Sequence, residues 1–197
     1  MDRIELLSNE NIEKIYNEVM VNDFEKTSLK PLKKIFNHKE KGIYFCYALY
    51  RENIIVAYAF FAINKSNNDY MLLDYFAVIK EYRRQNIGSN FLTLLKEELK
   101  DKIIIAEVEN SKYSLDEKDK QIKTNREKFY KKSNFIKSDI ESDIFAHDYT
   151  LFLLNFNKDK ISDNRDIIIN NYLSIYKVIL SKELYEKSVY VKSKIES

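Results

Sequence analysis

Apolar positions recur along the chain first at helical spacing and then at strand spacing. After a short apolar start at Ile4, Leu6 and Leu7, Ser8 or Asn9 can cap a helix whose Ile12, Ile15, Tyr16, Val19 and Met20 fall on one stripe. Leu29 to Phe36 predicts a second, shorter helix entered through Pro31, whose missing N–H costs nothing in a first turn. Three stretches, Ile43 to Tyr50, Asn53 to Ile63 and Tyr70 to Val78, are dense in β-branched and aromatic residues. They are separated by Arg51-Glu52 and by Lys65-Ser66-Asn67-Asn68-Asp69, which predicts an antiparallel meander. From Gln85 to Lys100 the helical period returns, with Gly88, Leu92, Leu95 and Leu99 on one line and Phe91 and Leu94 beside it.

Ile103 to Val108 reads as a further strand, parallel to the Tyr70 strand because the intervening helix supplies the crossover. Beyond a charged loop at Asp116 to Lys120, Thr124-x-x-Glu127 has the form of a capping box. It predicts a helix that opens there, runs through Phe129 and Tyr130 to Lys132, and stops at Asn134. Phe135 to Ile144 and His147 to Phe156 predict two more strands. The tail from Arg165 onward is helical, with Ile168, Tyr172, Ile175, Tyr176 and Ile179 on one face, and that face would be a large exposed patch unless packed. The expected architecture is α/β of the α+β type. A mixed central sheet of about seven strands, flanked by helices, occupies residues 1–160 as one domain, and a helical extension over 161–197 packs on it.

Composition narrows the function classes. With 197 residues, 45% of them apolar, and 15 Tyr and 12 Phe, the chain can bury one substantial core, while only two Gly and one Pro leave its turns to polar clusters. The 33 Lys+Arg against 31 Asp+Glu are interleaved, so no broad field attracts nucleic acid or anionic lipid, and neither is an expected partner. No window approaches the roughly 20 apolar residues of a membrane span, and no basic segment leads into an apolar run at the start, so a cytoplasmic protein is expected. Cys46 alone excludes an intramolecular disulfide and a Cys-rich zinc cluster, and the separated His38 and His147 cannot form a histidine triad, so no metal is expected. Cys46 reads as a core residue and His38, among Asn37, Lys39 and Glu40, as an exposed one. His147-Asp148 lacks a recognisable Ser nucleophile, which leaves hydrolase chemistry unsupported. The aromatic stripe of Tyr58, Phe60, Phe61 and Tyr75 reads as core rather than as a pocket wall.

Chemistry concentrates where the Tyr70 strand runs through Asp74-Tyr75-Phe76-Ala77-Val78 into Arg83-Arg84-Gln85-Asn86-Ile87-Gly88-Ser89 and then a helix. A basic turn at that junction aims consecutive backbone N–H groups and the positive helix end at one point, which suits a phosphate or pyrophosphate. Gly88 would allow close backbone approach, and Arg83 and Arg84 add charge. The run resembles the signature of the GCN5-related N-acetyltransferase (GNAT) family. There a strand ends in Arg or Gln, two residues, Gly, one residue, then Gly or Ala, matched here as Arg83-x-x-Asn86-x-Gly88. Asn86 stands in for the first Gly. Asn134 before Phe135 does the same for the Gly-Phe that closes a later helix of the family, and Asn is the non-Gly residue most at ease in a left-handed conformation. The family's order of elements agrees over residues 1–156.

This resemblance implies acetyl-CoA as cosubstrate. Its pyrophosphate would lie on Arg83, Arg84, Gln85, Asn86, Ile87, Gly88 and Ser89, and its pantetheine amides would pair with the edge at Phe76, Ala77 and Val78. It implies transfer to a primary amine of a small-molecule acceptor by direct attack in a ternary complex. A free alkylamine is mostly protonated at neutral pH, so a carboxylate must take a proton. Glu107 is preferred, Glu109 lies two residues away on the same strand face where mutual repulsion would raise one pKa, and Asp74 is a second base or an amine anchor. Alternation places Asp74 on one face with Leu72, Phe76 and Val78. Tyr130, within Arg126-x-x-Phe129-Tyr130, is the implied acid for the leaving thiolate, and the Val78 N–H a candidate to polarise the thioester carbonyl. The alternative is a non-catalytic CoA-binding sensor or protein-interaction module on the same fold, motivated by Asn86. Peptide against small-molecule acceptor, and oligomeric state, a homodimer included, are not readable from one sequence.

Overall fold

The computed structural model describes residues 2–25, 28–155 and 164–192. The elements run β1 (Arg3–Leu6), α1 (Asn9–Ile15), α2 (Leu32–Glu40), β2 (Tyr44–Arg51), β3 (Ile54–Asn64), β4 (Asn67–Val78), α3 (Ile87–Glu98), β5 (Ile103–Glu109), α4 (Glu117–Lys132), β6 (Ile136–Ile144), β7 (His147–Leu154), α5 (Arg165–Ile179), α6 (Lys182–Ser188) and β8 (Val189–Val191). Helix α1 continues through a π-helical stretch, Tyr16–Met20, into a last turn at Val21–Asp23. Up to β7 this is the order expected from the pattern, and α5 buries the expected Ile168, Tyr172, Ile175, Tyr176 and Ile179. The strand end expected at Phe156 and the division between residues 160 and 161 lie outside the described residues.

The strands form one mixed sheet of eight, in the order β1-β2-β3-β4-β5-β7-β6-β8, one more than expected because the short β8 joins the edge beside β6. The β2-β3-β4 meander is antiparallel and β4-β5 is parallel, as the α3 crossover requires. Tyr44, Cys46, Phe60 and Tyr75 share one sheet face through cross-strand pairing, and their rings meet edge-on. Phe76 lies on the other face, stacked on Phe91 of α3 and touching Phe129 of α4. Helix α2, tied to α1 through Lys39 and Asn9, covers the first face, where α5 packs on β3 and β4. The core between these layers is aromatic: Tyr44, Tyr58, Phe60, Phe61, Phe91, Phe152 and Tyr172 are fully buried.

Local boundaries follow capping chemistry, with three departures from expectation. Ser8 caps α1 by accepting from the Asn11 N–H, but Pro31 is the N-cap of α2 rather than its first-turn residue. Helix α4 starts at Glu117, not at Thr124, because the Asp116 side chain accepts from the Asp119 N–H and caps the chain a full two turns earlier. The Thr124-x-x-Glu127 spacing is therefore interior to α4, and Glu127 pairs instead with Lys131 and Lys137. His38 is buried at 6% exposure, not exposed, because it shares the inward face of α2 with Ile35 and packs beside Tyr44. Cys46 is a buried core residue.

Asn134 adopts φ 66°, and the Phe135 N–H returns to the Tyr130 carbonyl across it, which is the left-handed helix stop expected of a Gly substitute. Asn134→Gly should leave stability unchanged or raise it, whereas Asn134→Ala should lower it by about 1 kcal/mol, read as the shift in urea midpoint. A larger loss with Gly than with Ala would show that the Asn side chain, not the backbone, carries the position.

Candidate active site

The site begins where two neighbouring strands stop pairing. β4 and β5 are bonded from Tyr70↔Ile103 to Leu73↔Ala106 only. Beyond that, β4 runs on to Val78 held by β3 alone, and β5 to Glu109 held by β7 alone. The Ile79 N–H donates to Val56 O, so by alternation Ala77 also turns its peptide groups to β3, while Phe76 and Val78 turn theirs to the gap. This corrects the expectation for Ala77, whose backbone is occupied. The Val78 carbonyl accepts from Arg83 Nε at 2.9 Å, which leaves the Val78 N–H and both Phe76 groups facing the opening.

Past Val78 the chain makes one turn of 3-10 helix, Lys80–Tyr82, then the basic turn, and enters α3. Arg84 and Asn86 both take left-handed conformations, φ 64° and 59°. Asn86 tolerates this well, as anticipated. Arg84 does so at a cost of about 1 kcal/mol, and such strain collects at ligand-binding turns. Alternating handedness turns successive N–H groups inward as a nest. Among the described residues the N–H groups of Arg84, Gln85, Asn86, Ile87, Gly88 and Ser89 have no acceptor, the first bond of α3 running from the Asn90 N–H to Asn86 O. The donors and the positive end of a twelve-residue helix thus face one point. Arg84 is exposed and has no partner among the described residues. Arg83 is engaged, its guanidinium bonding Val78 O and, at 2.7 Å, Asp23 at the end of the α1 extension. Gly88 also serves packing: a Cβ there would lie 3.2 Å from the Phe129 ring and 3.4 Å from Val78.

Three carboxylates border the gap. Asp74 is the extra residue of a β-bulge, since β3 pairing steps from Phe60↔Tyr75 to Phe61↔Leu73. The bulge reverses the expected alternation. Asp74 shares its face with Tyr75 and not with Phe76 and Val78. There it accepts from Lys30 Nζ at 2.8 Å and from the Tyr44 hydroxyl. Lys30 Nζ also lies 5.7 and 5.6 Å from the Tyr44 and Tyr75 ring centroids. Tyr75 straps the same loop down, its hydroxyl donating to Ser28 O and accepting from the Lys30 N–H.

Glu107 follows Ala106, the register partner of Leu73, and so points to the Asp74 side of the sheet. Its Oε1 accepts from the hydroxyls of Tyr172 and, at 2.7 Å, Tyr176 on α5, and Tyr172 also bonds Ser142 Oγ at 3.1 Å. Oε2 has no partner among the described residues. Burial pushes the Glu107 carboxyl up to about 7 against the pull of the two tyrosine hydroxyls, with the Asp74 charge adding to the rise and Lys30 opposing it. The cause is therefore burial and not Glu109, which forms an ion pair with Arg126 of α4.

Tyr130 is not brought to these carboxylates. Its ring lies among Phe129, Phe135 and Phe152 on the α4 face of β5, and burial raises its hydroxyl to about 12. Lys30, Tyr44, Tyr172 and Tyr176 were not singled out from sequence. Tyrosines at i and i+4 on a buried stripe were the available signal, since buried hydroxyls require partners.

The profile described as "Acetyltransferase (GNAT) family" matches residues 9–115. Among solved structures, one assigned to that family from Bacteroides thetaiotaomicron superposes with TM-score 0.67 at 18% identity, covering 88% of this chain and 97% of its own. A Bacillus subtilis acetyltransferase in complex with CoA gives TM-score 0.57 at 16% identity, over 80% of this chain and 100% of its own. The ribosomal-protein-S18-alanine N-acetyltransferase of Escherichia coli gives 0.57 at 19%, over 78% and 93%. No curated protein is a significant sequence match. The chain belongs to the GNAT acetyltransferase family and is an acyltransferase of the class that uses acetyl-CoA.

Raised from 4.5 to about 7, Glu107 favours the folded state when protonated. Its stabilising contribution is full below about pH 4.5 and is lost as pH rises through about 7, up to about 3 kcal/mol in all. Glu107→Gln, which keeps an acceptor for both tyrosines, should therefore match the wild type in urea at pH 4.5 and exceed it at pH 8. Equal midpoints at both pH values would show that the carboxylate is not buried as described.

Proposed function

We propose that the chain transfers the acetyl group of acetyl-CoA to a primary amine of a small-molecule acceptor by direct attack in a ternary complex. The observation that carries this reading is the continuity of two unsatisfied backbone surfaces, the gap-facing groups of Phe76 and Val78 and the open N–H groups from Arg84 to Ser89. Unmet peptide groups are costly out of water, and an extended amide chain ending in a pyrophosphate would satisfy both. When bound, acetyl-CoA supplies an acetyl group activated as a thioester.

The residues of this chain then divide the work. The turn N–H groups and Arg84 hold the pyrophosphate, while Arg83 braces the turn against Asp23. Phe76 and Val78 align the pantetheine amides, the Val78 N–H being one donor for the reacting carbonyl. Glu107, with Oε2 free, first takes a proton from the acceptor ammonium, directly or through water; the neutral amine then attacks, the N–C bond forming and the C–S bond breaking. Tyr130, on the opposite sheet face, returns a proton to the thiolate. Asp74 and the rings of Tyr44 and Tyr75 are taken up by Lys30, so on the acceptor side they form a wall and not a free cation site. The loop strapped by Tyr75 and the cover of α5 over β3 and β4 support a small acceptor over a folded protein.

Ser89→Asp is the cleanest test of the donor site. A carboxylate in the first turn of α3 suits the helix dipole, so the fold holds, but it competes for the same N–H groups. Titration calorimetry should show acetyl-CoA binding weakened roughly 10-fold or more. Unchanged affinity, or no binding by the wild type, would remove the site. Against a responsive amine, Glu107→Gln should cut turnover by about 10²-fold or more, and Tyr130→Phe should lower kcat with little change in the KM for acetyl-CoA. Wild-type rates in both variants would reassign the two roles.

A further inference from the structure

We propose that α5, which lies beyond residues 9–115, is a working part of the catalytic site, its Tyr172 and Tyr176 being positioning residues that hold Glu107 by Oε1 and leave Oε2 as the proton-accepting oxygen. This rests on the reading of Glu107 as the base. One turn apart on the buried face of α5, the two phenols meet edge-on at 5.3 Å and converge on a single carboxylate oxygen. Tyr172 is fixed further by Ser142 Oγ at 3.1 Å, so the orientation of the clamp is set from β6 as well as from α5. Both hydroxyls are spent on one oxygen, and a carboxylate fixed in this way has one rotamer and one free lone-pair face.

The choice of phenol matters chemically. The other gap carboxylates are held by cations, Asp74 by Lys30 and Glu109 by Arg126. An ammonium in place of the tyrosines would fix Glu107 as firmly but would lower its proton affinity and make it a poor base at neutral pH. A phenol orients the carboxylate without adding charge. The titratable groups around Glu107 are Asp74 on β4, Lys30 in the loop before α2, Tyr149 on β7, and Tyr172 and Tyr176 on α5. Asp74 raises the carboxyl and Lys30 lowers it, while both α5 hydroxyls lower it by favouring the carboxylate. Deleting the hydroxyls therefore moves the Glu107 midpoint upward, a sign that loss of packing alone would not produce.

The test uses the full chain carrying Tyr172→Phe, Tyr176→Phe and both together, which keep the rings and hence the packing of α5. Carbon NMR of glutamate-labelled protein reads the Glu107 ionisation without any acceptor. The double variant should titrate about one pH unit above the wild type, each single variant between. In turnover with a responsive amine, the acid limb of the kcat profile should move in the same direction. At pH 7 kcat should fall about 10-fold or more, with the KM for acetyl-CoA unchanged. A folded double variant with the wild-type NMR midpoint overturns the clamp. If Glu107→Gln is fully active while the NMR midpoint still moves, the base reading fails and the clamp is structural only. If Glu107→Gln is inactive and the tyrosine variants titrate and turn over as wild type, the clamp alone fails.

Discussion

Two parallel strands that separate halfway along their length leave peptide groups without partners, and this cost governs the arrangement of everything around the gap. The separation persists because each strand is secured on its far side, β4 by β3 and β5 by β7, so closing it would mean giving up those ladders. The bulge at Asp74 falls at the point where the pairing ends and turns the rest of β4 away from β5. Phe129 packs against Phe76 and Gly88 on one face, while on the other α5 reaches Glu107. The gap is thus a feature that the surrounding packing maintains, with backbone donors and acceptors left open along it.

Elements carried by short-range pattern were legible in the sequence. The meander, the parallel crossover and the amphipathic helices follow from the switch between periods of two and 3.6 residues. The left-handed positions at Asn86 and Asn134 follow from what Asn tolerates and from the scarcity of Gly. What escaped depends on pairing register or on chain far away. A bulge is invisible in a run such as Leu72 to Val78, yet one extra residue moves Asp74 to the other side of the sheet from Phe76. The free and occupied peptide groups of Phe76, Ala77 and Val78 are likewise settled only once β3 is in register. The start of α4 was missed because its first two turns are charged and solvent-facing, so the apolar period there is weak and the Asp116 cap had to be weighed against a later capping box. Tyr172 and Tyr176 looked like filler in a stripe of Ile, since nothing within α5 indicates a carboxylate about 65 residues earlier in the chain.

The three carboxylates around the gap show how environment can separate chemically identical groups. Asp74 carries an ammonium and a phenol on one oxygen, and Glu109 a guanidinium, so each charge is compensated where it lies. Glu107 has only neutral donors, and burial therefore works on it unopposed by any cation in contact. A group already paired with a cation gains little from binding a proton, whereas a buried carboxylate held by phenols sits near the point where taking and releasing one cost the same. That asymmetry is why we propose Glu107 rather than Asp74 as the base, although both lie on the same face of the sheet. It also gives the Asp74–Lys30 pair a different place, as the tie that anchors the loop before α2 over the bulge.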